Sequence, residues 1–326
     1  MSKLVTIYGG SGFVGRYIAQ RMARAGWRVR VAVRRPNEAM FVKPYGTVGQ
    51  VVPILCNIRN DASVREAAEG ADTVINCVGT FDAGGKNNFD AVQHEGAARI
   101  ARIASEVGVA RMVHISAIGA DVDGDSDYAR TKGLGEAAVL ASFPDAVILR
   151  PSVIFGPEDD FFNRFAGMAR MSPVIPLIGA DTRFQPVYVD DVAKAAAMAA
   201  VGDAAGGVYE LGGPEVADFR TLVQEMLEVI RRRALIVAMP FWAGRVIAHV
   251  SGLARFLTLG IVPQPVTLDQ VTQLHHDSVV SADAKGLADL GIEATTLQSV
   301  LPTYLWQFRP DGQYSDLTRS ARNLRG

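Results

Sequence analysis

The sequence predicts an α/β protein with an open, doubly wound parallel sheet and a smaller, mostly helical C-terminal lobe. From the N-terminus, short runs rich in β-branched residues alternate with helical patterns, which is typical of strand–helix–strand units. Each predicted strand is apolar along its whole length, as expected when helices cover both faces of a parallel sheet. A glycine-rich turn directly after the first strand indicates the same fold.

The predicted elements follow one another in a regular order. We expect strands near residues 3–8, 28–33, 51–55, 72–77, 110–115 and 145–150, and helices near residues 12–25, 61–69, 88–107 and 128–142. After residue 150 proline and glycine interrupt the alternation, and one more strand–helix pair at 186–201 precedes a largely helical final third. The predicted domains are a first domain at 1–150 with a return segment at about 185–212, a lobe formed by 151–184 and 213–308, and an extended tail at 309–326.

Composition narrows the class of protein. The 326 residues carry 33 Lys and Arg against 34 Asp and Glu, and this balance argues against a protein that coats nucleic acid. The two cysteines, Cys56 and Cys77, are too few for a zinc site and lie in apolar runs, where we expect reduced thiols in a reducing compartment. The first strand begins two residues after Met1, so we expect no targeting peptide.

A phosphate-binding loop is predicted between the first strand and the first helix. The loop reads Gly9-Gly10-Ser11-Gly12-Phe13-Val14-Gly15, with glycines at positions 9, 12 and 15. Glycines here permit a tight turn and a close approach of the backbone to a pyrophosphate, which then lies at the helix N-terminus. We therefore predict that this loop binds a dinucleotide; a glycine-rich turn with a purely structural role is the alternative.

The end of the second strand predicts which nucleotide is bound. Arg34 lies 34 − 15 = 19 positions after Gly15, where a protein that binds NAD places an acidic residue against the ribose 2′-hydroxyl. An arginine there favours the 2′-phosphate of NADPH, and Arg16 offers a second cation to the same phosphate. Solvated surface arginines are the alternative explanation.

Further cofactor contacts are expected where two later strands end. Asn57 follows the third strand, where a polar side chain is expected to reach the adenine. Cys77, Val78 and Gly79 follow the fourth strand, beside the expected path of the cofactor. Asn57 in a turn and Gly79 at a bend are equally compatible with the sequence.

Tyr128 and Lys132 form a candidate catalytic pair, because they lie four residues apart and share one face of a helix. A lysine cation beside a tyrosine lowers the pKa of the phenol, which supports proton transfer. Ser116, just after the fifth strand, is placed to donate a hydrogen bond to a substrate carbonyl. A tyrosine and a lysine also occur at this spacing by chance.

Taken together, these segments resemble the extended or atypical short-chain dehydrogenase/reductase superfamily. Later segments narrow the resemblance to the nucleotide-binding accessory subunits of respiratory complex I, the NADH:ubiquinone oxidoreductase. The segments that carry it are residues 149–159 (LRPSVIFGPED), 163–165 (NRF) and 185–193 (QPVYVDDVA).

This resemblance implies a Rossmann domain that holds NADPH, on the peripheral arm near the quinone module and the membrane surface. It also implies that the nucleotide is structural, held by the loop glycines, Arg34, Tyr128 and Lys132. Because the chain begins without a transit peptide, we expect a bacterial counterpart on the cytoplasmic side of the inner membrane. Its expected partners are complex I subunits near the quinone module, and its expected role is structural, with little or no catalysis.

Two departures separate the chain from an active reductase of this superfamily. Only 128 − 116 = 12 positions separate Ser116 from Tyr128, a shorter loop than the resemblance implies, and Asn57 replaces an aspartate. The alternative function is nevertheless a free-standing NADPH-dependent reductase or epimerase. In that enzyme Tyr128 is the acid/base, Lys132 activates it, and Ser116 donates to the carbonyl.

The region 231–262 combines Arg231, Arg232 and Arg233 with a long apolar helical pattern. Arg245 and other polar residues interrupt this pattern, so we do not expect it to span a membrane. A basic cluster beside apolar and aromatic groups suits an anionic lipid surface or a hydrophobic partner groove. An ordinary amphipathic helix packed on its own lobe is the alternative.

Three other features have simpler explanations. His275 and His276 are adjacent and point to different sides, so we expect no metal site. Asp190 and Asp191 are expected to cap the following helix. The tail from Arg309 is either an arm on an acidic neighbour or disordered.

Overall fold

The computed structural model describes residues 3–80, 84–257 and 267–314. The strands are β1 (Leu4–Tyr8), β2 (Arg28–Val33), β3 (Val51–Leu55), β4 (Thr73–Asn76), β5 (Arg111–Ile115), β6 (Val147–Pro151), β7 (Ile154–Phe155), β8 (Val174–Ile178), β9 (Arg183–Phe184), β10 (Val187–Tyr188), β11 (Gly207–Leu211), β12 (Ala217–Asp218) and β13 (Leu235–Met239).

The α-helices are α1 (Phe13–Arg24), α2 (Asp61–Ala68), α3 (Glu95–Glu106), α4 (Asp127–Ser142), α5 (Phe161–Met171), α6 (Val189–Val201), α7 (Phe219–Val229), α8 (Phe241–Leu257), α9 (Leu268–Gln273) and α10 (Leu297–Tyr304). Short 3-10 segments lie at Pro36–Tyr45, Gly85–Asn87, Ala288–Leu290, Leu305–Phe308 and Gly312–Tyr314. One π-helical turn, Asp90–His94, leads directly into α3. In these described ranges we find no helix that is long and apolar enough to cross a membrane.

Seven strands form one parallel sheet in the order β11-β6-β5-β4-β1-β2-β3. The order reverses between β1 and β4, and a crevice for ligands forms at the carboxyl ends of the strands at such a switch point. The predicted fold class is therefore confirmed, and the six strands predicted up to residue 150 belong to the sheet. The strand predicted at the start of 186–201 is β10, which pairs with β7 in a separate two-stranded sheet. The sequence analysis missed β11, because glycines at both ends of this strand make it read as a loop.

Pro53 lies within β3 without breaking the sheet, because β3 is the edge strand. The amide of Val29 donates to the Gln50 carbonyl, and the amide of Cys56 donates to the Val33 carbonyl, so the even-numbered residues of this segment pair with β2. The nitrogen of Pro53 consequently faces the free edge, where no partner strand needs a donor. The same proline also blunts this edge against pairing with another chain.

The chain divides into two compact units, which we describe separately. Unit 1 comprises Met1–Ser152, Val189–Gly212 and Val280–Ala294, and unit 2 comprises Val153–Tyr188, Gly213–Val279 and Thr295–Gly326. The predicted boundaries did not include the return of 280–294 to unit 1. Two hydrogen bonds join this segment to Glu210 of β11. The Glu210 amide donates to the Lys285 carbonyl, and the Ser281 amide donates to the Glu210 carboxylate, both at 2.8 Å.

In unit 1, one face of the sheet packs against α3, whose Ile100, Ile103 and Ala104 are fully buried. On α6, the expectation that Asp190 and Asp191 cap the helix is wrong, because the helix already begins at Val189 and both residues lie in its first turn. Asp190 instead forms a two-bond ion pair with Arg21 of α1, each bond 2.7 Å long. Its carboxylate still lies at the end of the helix where negative charge is favourable.

Unit 2 has a core of its own, in which phenylalanines from α5, β9 and α7 pack edge to face. The buried carboxylate of Asp159 accepts amide hydrogen bonds from Gly156, Phe162 and Asn163 at the start of α5. It also accepts the hydroxyl of Tyr304 at 2.5 Å. These four bonds fix the beginning of α5 to α10.

Two predictions for the C-terminal lobe need correction. Residues 235–239 form β13, paired in parallel with β8, and only the segment from Phe241 is helical. Burial alternates only in the first half of β13, where the partly buried Ile236 lies between the exposed Leu235 and Val237, and pairing with β8 defines the rest of the strand. The predicted tail begins attached, because the Arg309 side chain donates to the Val229 carbonyl at 2.9 Å. Residues 315–326 lie outside the described residues.

Candidate functional site

The glycine loop lies at the sheet's switch point and lacks room for side chains. Gly9 has φ +75°, and a Cβ there would lie 3.2 Å from the Cys77 carbonyl, so β1 and β4 end against each other. A Cβ on Gly15 would overlap the Gly9 carbonyl oxygen and lie 2.7 Å from Gly10 Cα. The ends of β1 and β4 and the start of α1 therefore approach one another as closely as only glycines allow.

The loop also presents the start of α1. Gly12 is the N-cap, and the first helical bond runs from the Arg16 amide to the Gly12 carbonyl at 3.1 Å. The amides of Phe13, Val14 and Gly15 precede that bond and need acceptors from outside the helix ladder. The first turn of α1 contains no acidic residue. A glycine-rich turn at a helix N-terminus fits a pyrophosphate in both shape and charge.

Arg34 lies directly after β2, at the same carboxyl edge. The Gly9 amide donates to the carbonyl of Ala32, two residues before Arg34, at 3.0 Å, which ties the end of β2 to the glycine loop. The Arg34 side chain is exposed and has no ion-pair or hydrogen-bond partner within residues 3–80, 84–257 and 267–314. An unpaired guanidinium beside the loop is available to a bidentate anion such as a 2′-phosphate.

Arg16 contacts the glycine loop itself. Its guanidinium donates to the carbonyl of Ser11 at 3.2 Å and lies over the ring of Phe41, 4.9 Å from the centroid. This side chain thus connects the glycine loop to the 3-10 segment that follows β2. Its contacts indicate a role in positioning the loop, and a direct phosphate contact stays a prediction.

Asn57 has the local role that the sequence left open as an alternative. Its side-chain oxygen accepts the amide of Arg59 at 3.1 Å, a bond that closes a turn between β3 and α2. Cys77, Val78 and Gly79 follow β4 at the switch point, and the Cys77 amide donates to the Tyr8 carbonyl at 2.9 Å. Burial raises the pKa of the Cys77 thiol to about 12, so this cysteine is a neutral thiol at pH 7.

The structure brings Ser116, Tyr128 and Lys132 close to this crevice. Lys132 Nζ lies 6.0 Å from the centroid of the Tyr128 ring and donates to the carbonyl of Ile115 at 3.1 Å. A Cβ on Gly79 would lie 4.0 Å from the same nitrogen, so the lysine also faces the turn after β4. Burial lowers the pKa of Lys132 to about 8, against the opposing effect of Glu136. The ammonium is therefore able to exchange a proton near neutral pH.

The sequence analysis did not single out His114, which lies on β5 next to Asn76 of β4. The Asn76 side-chain oxygen accepts the Val78 amide, so its nitrogen is the donor toward His114 Nδ1 at 3.1 Å. The imidazole consequently carries its proton on Nε2. Burial and the charge of Lys132 lower the pKa of His114 to about 3, which keeps the ring neutral. In the sequence, a histidine between the apolar residues Val113 and Ile115 was the signal that could have identified it.

Two buried polar atoms of this cluster lack partners. Among the described residues, neither His114 Nε2 nor Ser116 Oγ has a hydrogen-bond partner, although both residues are almost fully buried. Leaving a buried polar group unpaired costs about 1–3 kcal/mol, so native proteins usually pair such groups with protein, water or a ligand. These atoms are compatible with a polar group of a bound molecule.

Side chains that could bind a metal are dispersed in the described part of the chain. No group of three or more His, Cys, Asp or Glu side chains lies there in an arrangement that could hold an ion. In unit 2, His275 instead stacks on Phe241, with ring centroids 3.7 Å apart.

Known proteins are similar to this chain in sequence and in fold. The family model for the NAD dependent epimerase/dehydratase family matches residues 5–212. NADH dehydrogenase (ubiquinone) 1 alpha subcomplex subunit 9, mitochondrial, of Arabidopsis thaliana is 34% identical over 320 residues, which cover 95% of this chain and 79% of that protein. The protein of the same name from Rattus norvegicus is 32% identical over 300 residues, which cover 90% of this chain and 78% of that protein.

Solved structures support the fold. The UDP-glucose 4-epimerase of Thermus thermophilus in complex with NAD aligns with a TM-score of 0.69, covering 94% of this chain and 99% of that one. At 18% identity, this similarity shows the fold alone. Together, these matches show that the chain belongs to the NAD dependent epimerase/dehydratase family, as a relative of the subunit 9 proteins of NADH dehydrogenase (ubiquinone), respiratory complex I.

Proposed function

We propose that the protein is an NADPH-binding accessory subunit of bacterial respiratory complex I with a structural or assembly role. The similarity to the subunit 9 proteins extends over 95% of the chain and therefore includes unit 2 as well as the nucleotide-binding fold. We place it on the cytoplasmic side of the inner membrane, attached to the peripheral arm near the quinone module.

The position and exposure of Arg34 favour NADPH over NADH. The residue is exposed, unpaired in the described structure, and attached through Ala32 to the glycine loop. NAD-binding proteins of this fold place a carboxylate at this point, and that carboxylate would repel a 2′-phosphate. The glycine cradle would hold the pyrophosphate, while Tyr128 and Lys132 would hold the nicotinamide ribose.

A structural role follows from the linkage between ligand binding and folding. A nucleotide present at a hundred times its Kd stabilises the folded chain by about 2.7 kcal/mol. This amount is a large part of the total stability of an ordinary domain, so assembly of the chain into a complex would depend on retained nucleotide. Little catalysis is expected, because the short loop between Ser116 and Tyr128 packs directly on α4, where a Cβ on Gly133 would lie 2.5 Å from the Val122 nitrogen.

A second candidate is a free-standing NADPH-dependent reductase or epimerase. The observation that favours it is the cluster of Tyr128, Lys132 and the unpaired Ser116 hydroxyl near the carboxyl ends of β4 and β5. In such an enzyme NADPH would supply a hydride to the substrate, or NADP⁺ would accept one from it. Tyr128 would move a proton, Lys132 would stabilise the phenolate, and Ser116 would orient a carbonyl.

The nucleotide part of the proposal is tested with Arg34→Gln and a matched control, Arg24→Gln. Arg24 is exposed, belongs to the same unit, and lies in the last turn of α1. A charge-assisted hydrogen bond contributes about 1.5–3 kcal/mol, so we expect Arg34→Gln to weaken NADPH binding about 10- to 100-fold. NADH binding should change less than threefold, and the Arg24 variant should leave both affinities unchanged. Equal NADPH affinity in the Arg34 variant would remove this residue from the site.

A further inference from the structure

Helix α8 in unit 2 has two apolar faces, and only one of them is used for packing. Phe241 stacks on His275, Ala248 is fully buried, and a Cβ on Gly244 would lie 2.8 Å from Ile178. These positions, spaced three and four residues apart, form the inner face of the helix. A helix that serves only its own lobe would place polar residues on the rest of its surface.

The outer face of α8 is apolar and exposed instead. Trp242, Val246 and Val250 lie four residues apart on one side of the helix, and they are 69%, 53% and 64% exposed. The preceding strand β13 adds Leu235, at 64% exposure, and Val237. A tryptophan and several aliphatic side chains presented to solvent by consecutive elements exceed the scattered apolar residues of an ordinary surface.

The charge of this region is unlike that of the rest of the chain. Residues 229–268 contain five arginines and no Asp, Glu or Lys, a formal charge of +5. The whole chain carries −1, so the remaining residues carry −1 − 5 = −6. Arg233 and Arg245 are exposed and have no acidic partner among the described residues. This stretch therefore carries a net positive charge beside the exposed apolar helix face, because no acidic residue offsets its arginines.

We infer that this surface, Trp242, Val246 and Val250 together with Arg233 and Arg245, binds the interfacial layer of a membrane rich in anionic lipids. Tryptophan and aliphatic side chains enter the boundary between head groups and acyl chains, and arginines contact the lipid phosphates. The absence of acidic residues from 229–268 means that nothing in this stretch of sequence repels an anionic surface. α8 would lie in the plane of the membrane surface.

The inference deepens the proposed peripheral location and is tested on the isolated chain, independently of complex I. The full-length protein with NADPH is sedimented with vesicles of phosphatidylcholine alone or with 30 mol% phosphatidylglycerol. Binding is expected only to the anionic vesicles. It should weaken as salt rises from 0.1 to 1 M, because the Debye length then falls from about 10 to about 3 Å.

Two sets of variants assign the binding to this surface. Trp242→Ser, Val246→Ser and Val250→Ser combined, the serine variant, should lower the partition coefficient at least tenfold. Arg233→Gln with Arg245→Gln should lower it about 25-fold, at about fivefold per charge. The apolar control is Met40→Ser with Leu55→Ser, which are comparably exposed on unit 1, and the charge control is Arg24→Gln with Arg28→Gln. Both controls should bind within twofold of the parent chain.

Any other outcome of the vesicle experiment overturns the inference. Absence of binding to anionic vesicles, or binding that the surface variants do not change, excludes this surface as a lipid site. If the serine variant fails to comigrate with complex I while the parent chain ignores vesicles, the occupant is a protein groove. Loss of comigration alone would concern the proposed function and leave the vesicle result standing.

Discussion

Gly15→Ala tests the glycine cradle with a single methyl group. The new Cβ would overlap the Gly9 carbonyl oxygen and lie 2.7 Å from Gly10 Cα, whereas ordinary contacts are 3.4 Å or longer. The first helix and the loop must therefore separate by at least about 0.7 Å, and overpacking of this kind costs about 1–3 kcal/mol. Alanine recovers at most about 1 kcal/mol through its helix propensity. We expect a net loss of about 1–2 kcal/mol in the free energy of unfolding without nucleotide.

The same displacement should weaken NADPH binding more than tenfold, because the pyrophosphate depends on close approach to the backbone. Gly167→Ala in α5 is the matched control, since a Cβ there meets no atom within 4 Å and the backbone is helical. That variant should be unchanged or up to about 1 kcal/mol more stable, with normal binding. Urea unfolding and fluorescence titration measure both effects. Wild-type stability and affinity in Gly15→Ala would refute the assignment of this turn as a phosphate cradle.

His114→Gln should flatten the pH dependence of stability, because the folded histidine stays neutral down to about pH 3 whereas the unfolded one takes up a proton below about 6.5. As the pH is lowered through that window, the free energy of unfolding should fall more steeply for the wild type than for the variant, by up to about 1.4 kcal/mol per pH unit. Denaturation at pH 4–7 measures both. Arg231→Gly should raise the free energy of unfolding by about 0.5–1 kcal/mol, since Arg231 has φ 54° at the end of α7; an unchanged midpoint in urea would contradict this. Tyr128→Phe should keep NADPH affinity within about threefold and leave complex assembly intact, whereas loss of a measurable turnover would favour the reductase.

Most of the sheet was predictable because its strands are short apolar runs separated by clear helical patterns. β11 was missed because glycines flank it, and β13 because an apolar run beside a helical pattern gives no decisive period. The tight turn of the glycine loop was predictable, since glycine spacing reports backbone geometry directly.

Side-chain partners were less predictable than positions. Arg16 and Arg34 read alike in the sequence, yet one is stacked on Phe41 and bonded to the loop, and the other is exposed without a partner in the described structure. His114 gains its neutral state from burial and from Asn76, on a strand that is adjacent only in the folded sheet. Such contacts depend on sheet order, which a local pattern does not specify.

Comigration with respiratory complex I distinguishes the proposed subunit from a free-standing enzyme. Host membranes are solubilised gently, NADH:ubiquinone oxidoreductase is isolated on a native gel, and the band is quantified by mass spectrometry. We predict that this chain comigrates with the complex in stoichiometric amount. Its recovery only in the soluble fraction, with none in the complex I band, would contradict the proposed function and make the NADPH-dependent reductase the leading hypothesis.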